Sequence, residues 1–479
     1  MKIYKSVLSI FCILTILFSF TSCSSKPTEK ENPLDPQKPV TVVLWHYYNG
    51  NIKEKFDEIV SEFNETVGME KGIVVDAQSQ GDVDQLATSV QNSVNQAIGS
   101  SPMPDLFAAY PDTALTVHKI KGLVNLEKYF TQDELNEYRK EFLEEGNFLF
   151  DEGLYIMPIA KSTENLFINK TSWEEFASEN SIDEKKLQTW EGLTEVAALY
   201  YEKTGKSFFG IDSNANYMIQ AAMQLENEIY KYNEDGSAEF NLSKDSAYKI
   251  WQNYYVPYIN KHFAKTGRFS SDDAKTGSVI AYVGSTAGAS YFPTEVTFSQ
   301  DNIVQIEPLT IAYPHFESGN PVAIQQGAGI CMTKSDYAHE YAAAEFLKWF
   351  TDTKQNVKFA ITTGYFPVKN EALSEEILLA ALEENNINSE SIKSTIKTTS
   401  KMLETYKLYS NKPFDKSYEM RRFLETNLFE KVTTDLEALD SSNMEMDERA
   451  KAIEELTSMP SFEKWYEDLV NNANKILKG

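Results

Sequence analysis

Between Val40 and Gly122, short continuous apolar runs alternate with stretches whose apolar residues recur at helical spacing, and this alternation restricts the fold most. Val40–Leu44 is an unbroken apolar run that suits a strand buried on both faces. Ile52, Phe56, Ile59, Val60 and Phe63 then trace one face of a helix ending near Gly68, and Ile73–Ala77 supplies a second strand. Val83, Leu86, Ala87, Val90, Val94, Ala97 and Ile98 form another stripe, with Asp82 placed as its cap. Asp105–Ala109 is the third strand, followed by a helix over Thr113–Lys121 that stops at Gly122. Strand, helix, strand, helix, strand is the order of a parallel α/β sheet. After Gly153–Pro158 the pattern changes. Helical stretches (Leu193–Lys203, Tyr217–Glu228, Ser243–His262) alternate with strand-like runs at Val279–Val283, Ile303–Ala312 and Pro321–Met332, and the rest is nearly all helical. Two α/β lobes fit this layout better than one domain.

The N-terminus addresses the chain. Lys2 and Lys5 precede an apolar run from Val7 to Phe20, then Thr21, Ser22 and Cys23. A positive start, a short apolar core and small residues before a cut make an export signal; the run is shorter than the roughly 20 residues of a membrane span. A cysteine at the cut resembles the lipobox of bacterial lipoproteins, with Phe20 in place of the usual leucine. The resemblance implies that residues 1–22 are removed and that Cys23 is acylated, as by palmitate. Residues 23–39, polar and punctuated by prolines, would be a flexible tether. The protein is then expected outside the cell, held on the outer face of the cytoplasmic membrane by two or three acyl chains, since one binds only marginally. Without the signal, 43 basic residues face 71 acidic ones, a net charge of −28. Such a chain is a poor ligand for nucleic acid. Cys331 is the one further cysteine after Cys23, so no second thiol is free to form an intrachain disulfide with it, and it reads as a small buried hydrophobe. No Cys/His spacing suggests zinc. No cofactor is expected, and the chain is read as a monomer.

Several segments together resemble the extracellular solute-binding proteins of ABC importers, the family that includes maltose- and glycerol-3-phosphate-binding proteins. They are Val42–His46 before a helix ending in Phe63-Asn64, Met103–Phe107, Gly122–Leu126, Gly153–Pro158 leading to Leu166–Lys170, Phe346–Phe350 and Thr363–Val368. The resemblance implies the two-lobe periplasmic-binding-protein fold (type II): hinged lobes that close on a ligand and deliver it to a permease, with no catalysis. It also implies several crossings between lobes. We place them near Ala160, near Ile303 and around Trp349, giving 40–160 plus 303–348 for the first lobe and 161–302 plus 349–479 for the second.

Ligands of open α/β sheets bind beyond the carboxyl ends of the strands, which selects candidate residues. The first strand ends in Trp45, Tyr47 and Tyr48, aromatic faces suited to stacking on sugar C–H groups. The second leads to Asp82, expected to cap, and Asp84, a candidate for ligand hydroxyls; the third leads to Tyr110 and Asp112, although Pro111 is also expected from helix capping alone. In Lys161–Glu164, Ser162 is the best match to a ligand-contacting position of the resembling proteins, and Glu164 either caps or faces the cleft. Ser285 opens a segment whose backbone N–H groups would favour a hydroxylated or anionic ligand, and Gly327 would allow close backbone approach. The resemblance carries a ligand-contacting tyrosine onto Tyr365 and, more loosely, a phosphate-contacting arginine onto Arg421.

The leading reading is a saccharide receptor feeding an ABC permease. Its rivals are a receptor for glycerol-3-phosphate or a related phosphorylated polyol, a sugar-sensing or adhesion lipoprotein, and a surface glycoside hydrolase, which would need two carboxylates about 5–9.5 Å apart. Lys161 and Arg421 are the only cations near these cleft segments, against Asp84, Asp112 and Glu164. That balance favours a neutral sugar over a phosphate ester.

Overall fold

The computed structural model describes residues 32–148, 151–299, 302–442 and 444–479. Cys23 and the expected signal peptide lie outside them, and among the described residues no helix is long and apolar enough to cross a membrane.

The alternating segment builds the first sheet. Val40–His46 lies between Ile73–Ser79 and Leu106–Ala109, parallel to both, in register from Val40↔Ile73 to His46↔Ser79. Gly329–Met332 adds an antiparallel fourth strand beside Leu106–Ala109. The helix Gly50–Phe63 buries Phe56, Ile59, Val60 and Phe63, one face at helical spacing. It runs past the expected stop at Gly68, through a π-turn, to Lys71, where Gly72 ends it with φ 78°. A Cβ on Gly72 would sit 2.5 Å from the Asp35 carbonyl oxygen, so the segment before the first strand passes close by. Leu34 packs on the first core, so the part of the expected tether that is described lies against the lobe. Asp82 forms a reciprocal capping box with Gln85, and Pro111 opens the helix Pro111–Lys121.

The second sheet has the order Pro308–Ala312, Glu164–Asn169, Ala281–Ser285, Phe209–Ile211, with only the last pair parallel. Every residue of Glu164–Asn169 is buried, as its central place requires. The core around it is aromatic: Trp173, Trp190, Trp251, Tyr217, Tyr254, Tyr255, Tyr258 and Tyr313 are all enclosed.

The crossings differ from expectation. The apolar run Ile303–Ala312 is two strands, because Pro308 begins a new one: Asn302–Gln305 pairs with Glu295–Ser299, and Pro308–Ala312 with Glu164–Asn169. The chain is therefore still in the second sheet at Ala312, and it rejoins the first between Ile324 and Gly329, not near Ile303. The third crossing falls after Trp349. Phe359 of the helix Thr353–Thr363 packs on Phe56 of the first lobe, while Ala360 and Ile361 join Phe167 and Tyr282 of the second. Three crossing segments thus run side by side. Lys161 and Phe366 exchange backbone hydrogen bonds (2.9 and 2.6 Å), and so do Ser162 and Gln326 (3.0 and 2.8 Å). This small ribbon is the hinge.

Candidate functional site

Between the lobes lies a cleft of about 580 Å³. Its first wall is made at the carboxyl ends of the parallel strands: Tyr47 and Asn49, then Asp82–Asp84, then Ala108–Thr113. Its second wall comes from Ser213 and Asn216, Tyr230, Arg268 and Phe269, Ser410–Phe414, and the helix Ser417–Ser441. Gln325, Gln326 and Ala328 of the hinge form the floor. A smaller recess of about 240 Å³ lies where Asp112, Lys119 and Ile120 meet Phe414–Glu419.

Of the sequence candidates, Tyr47, Asp84, Tyr110, Asp112 and Arg421 line this cleft. Burial pushes the Asp112 carboxyl above its ordinary value, against hydrogen bonds from Thr113 and the charge of Arg421. Tyr47 is fixed on the wall: its hydroxyl accepts from the Ala328 N–H and lies 3.3 Å from the Tyr365 hydroxyl.

The other candidates stand elsewhere. Trp45, 4% exposed, is in the first core, where its Nε1 donates to Gln78 Oε1. Tyr48 packs among His46, Phe56 and Phe359. Tyr365, 8% exposed, lies behind Tyr47 and stacks on Phe359, so it backs the wall without being its surface. Ser162 belongs to the hinge ribbon, and Ser285 donates to its hydroxyl at 3.3 Å. Gly327, at φ 89°, is a hinge glycine; a Cβ there would meet the Ala160 carbonyl oxygen at 2.5 Å. Its carbonyl accepts from Lys161, not from the cleft.

The charge balance also changes. Lys161 is no cleft cation: it is buried in an ion pair with Glu145, whose carboxylate also accepts from Gln325 at 2.7 Å. Arg268, Lys412 and Arg422, by contrast, line the cleft. Arg268 is paired across it with Asp82 at 3.2 Å. Glu425 is occupied at the start of the helix Asn214–Gln224, accepting from Ser213 and from the N–H groups of Asn214 and Ala215. The aromatic residues Tyr230, Phe269, Phe414 and Tyr418 also line the cleft and were missed. They come from the strand Tyr230–Tyr232, from loops and from a helix, far apart in sequence, and none stands at the carboxyl end of a strand.

Glu164 is buried one layer below. It accepts from Asn216 Nδ2 (2.7 Å), Gln220 Nε2 (2.6 Å) and Gln326 Nε2 (3.0 Å), while Asn216 Oδ1 accepts from Arg421 at 3.0 Å. Burial raises its carboxyl to about 7, opposed by the amide hydrogen bonds and by Arg421. Among the described residues no cluster of His, Cys, Asp and Glu is arranged to hold a metal.

Solved structures share this fold. One is the cyclic α-maltosyl-1,6-maltose binding protein of Arthrobacter globiformis, 17% identical, covering 92% of this chain and 100% of its own, with a TM-score of 0.66. Another is an ABC substrate-binding protein of Listeria monocytogenes in complex with cycloalternan, at 16% identity, coverage of 92% and 100%, and a TM-score of 0.65. A third is UgpB of Mycobacterium tuberculosis in complex with glycerophosphocholine, at 16%, 90% and 99%, and 0.63. No curated protein sequence matches the chain. Residues 58–383 match the family model of the bacterial extracellular solute-binding protein, and with the two-lobe fold and the cleft between its lobes, the chain belongs to that family.

Proposed function

We propose that this protein is the lipid-anchored receptor of an ABC importer, capturing a neutral saccharide outside the cell and handing it to the permease. The observation that carries the reading is the make-up of the cleft. Tyr47 and Tyr110 on one wall face Phe269 and Tyr418 on the other, backed by the buried Tyr230 and Phe414 and interspersed with Asp84, Asp112, Asn216, Gln325 and Gln326. Aromatic faces suit the C–H surfaces of sugar rings, and carboxylates and amides suit their hydroxyls. A ligand bridging both walls stabilises the closed form, because only differential affinity shifts an open–closed equilibrium. The proteins of similar fold support the class, since two are described with cyclic oligosaccharides. Anchoring rests on Cys23: a Cys23→Ser chain should lose palmitate labelling.

A thermal-shift screen of the mature protein against oligosaccharides and phosphorylated polyols tests the ligand class. A ligand at 100 times its dissociation constant adds about 2.7 kcal/mol. A shift with oligosaccharides is expected; shifts confined to phosphate esters would overturn the neutral-sugar reading. A second reading, an anionic ligand, is favoured by Arg422 and Lys412, which line the cleft together with Arg421. It requires an affinity that falls steeply with salt, whereas a neutral sugar's should change little.

A further inference from the structure

Glu164 is a buried carboxylate that does not line the cleft, yet it is one amide away from it and in contact with the hinge. Its three donors come from two places. Asn216 and Gln220 stand on the helix Asn214–Gln224, and Gln326 stands on the crossing segment hydrogen-bonded to Ser162. Gln220 reaches the same crossing from its other end, its Oε1 accepting from the Ile324 N–H at 2.9 Å. Asn216 lies between a carboxylate and a guanidinium, and this fixes which way its amide points: the NH2 must face Glu164 and the oxygen must face Arg421.

We propose that Glu164 is a positioning residue for the cleft: its ionised carboxylate holds Arg421 in place through Asn216 and ties that arginine to the hinge through Gln220 and Gln326, so that ligand affinity follows the ionisation of Glu164. This rests on the solute-binding reading given above.

The chemistry of the two forms differs at one atom. The carboxylate is acceptor-only and suits three amide donors. When Glu164 takes a proton, its new O–H needs an acceptor, yet the three amide groups pointing at it are donors. Turning the Asn216 amide over would supply an oxygen, but it would also present the NH2 to Arg421, a donor against a donor. The Asn216 amide can meet the new O–H only by turning over, and in doing so it takes its oxygen away from the Arg421 guanidinium. The charged and titratable groups facing Glu164 are Arg421 from the helix Ser417–Ser441, Asp212 from the loop after Phe209–Ile211, and Tyr313 after Pro308–Ala312. Asp212 opposes ionisation of Glu164 and Arg421 favours it. Burial sets the balance at about 7, so the two forms exchange within an ordinary extracellular pH range.

The sign is definite for both readouts. Glu164 lies above its ordinary value in the folded chain, so its contribution to ligand-free stability is present at acidic pH and is lost as pH rises through about 7. Affinity runs the other way, rising as the carboxylate forms. The stability change follows from the burial of Glu164 whatever its role, so only the affinity change separates a positioning residue from a structural one.

The test uses the mature protein in two samples, one with its arginines and one with its glutamates isotopically labelled. The Glu164 signal is assigned by its loss in Glu164→Gln or, failing that, in Glu164→Asp, and the arginine sample is read for Arg421. The sequence contains five arginines, so that spectrum is sparse. Without any ligand, the Arg421 side-chain resonance should shift with pH at the midpoint of the Glu164 carboxyl resonance, and should stop doing so in Glu164→Gln. Should Glu164→Gln not fold, Asn216→Ser serves instead: Glu164 should still titrate while Arg421 no longer responds. Maltotriose is the binding probe. Its affinity should weaken about tenfold from pH 8.5 to pH 5.5, a change of one order in coupled affinity, and be flat in Asn216→Ser. An Arg421 resonance that ignores the titration of Glu164, or maltotriose affinity that is equal at both pH values, overturns the proposal. If maltotriose binds at neither pH, the reading of the ligand fails for that sugar, and the ligand-free spectra still decide the role of Glu164.

Discussion

The two walls of the cleft are held in different ways. Tyr47 on the first wall is locked from behind by Tyr365 and from the side by the Ala328 N–H, and Tyr365 is itself stacked on Phe359 within the core. Arg421 on the second wall hangs from the amide of Asn216. The first wall's Tyr47 is thus held by a hydrophobic core, whereas the second wall's Arg421 is placed by a polar relay, although Tyr230 and Phe414 of that wall belong to the second core. A change behind Tyr47 should cost stability and binding together, whereas a change at Arg421 should cost binding alone.

The largest effect is expected at the hinge, which serves both walls. Lys161→Met leaves the Glu145 carboxylate buried without its cation, and removing one partner of a buried pair costs about 3–5 kcal/mol. Denaturant unfolding should show the loss, and a midpoint close to that of the parent would mean the pair is not enclosed as described. Next comes Tyr365→Ala, which empties a buried site behind Tyr47; truncating a buried ring of this size costs about 3 kcal/mol, and affinity should fall with it. If Tyr365→Ala weakened binding while the melting temperature held, Tyr365 would be a surface of the cleft after all, and the contrast between the walls would dissolve. Arg421→Ala should weaken ligand binding about tenfold, about 1.4 kcal/mol, with ligand-free stability nearly unchanged. A large stability loss there would show that the second wall is as deeply integrated as the first. The smallest effect belongs to the exposed pair Arg268–Asp82, which joins the walls at the rim. Arg268→Ala should change closure by about 0.5 kcal/mol or less, and only at low salt, as read from the salt dependence of ligand dissociation.

The same difference governs what could be read in the sequence. On the first wall, strand ends and helix starts follow one another closely, so the rule that ligands sit beyond the carboxyl ends of strands found Tyr47, Asp84, Tyr110 and Asp112. It failed for Trp45 and Tyr48, whose side chains turn into the core although their neighbour Tyr47 faces the cleft. No one-dimensional pattern separates adjacent aromatic residues that point different ways. On the second wall only Arg421 was found, through the family resemblance. Tyr230, Phe269 and Tyr418 meet because a short strand, a loop and a long helix fold onto one another, which leaves no local trace. The lobes were legible in outline, but the crossings were displaced for a local reason. Ile303–Ala312 and Pro321–Met332 are each apolar enough to pass for one strand, and each is divided by a short break between two sheets.

The antiparallel strand Gly329–Met332 also fixes an order of assembly. All four strands of the second sheet lie between Glu164 and Ala312, so that sheet can be complete while the first still lacks one edge. The second lobe is nevertheless the last to finish, because Met420, Leu424, Leu428, Trp465 and Leu469 of its core come from the helices Ser417–Ser441 and Met459–Lys478. Until Met332 has left the ribosome or the export channel, Leu106–Ala109 has an open flank, and the helices Tyr337–Phe350 and Thr353–Thr363 that cover Phe56 and Phe63 follow later still. A nascent chain halted after Ala312 lacks the helices that close both cores, so both sheets should remain protease-sensitive until the C-terminal helices emerge.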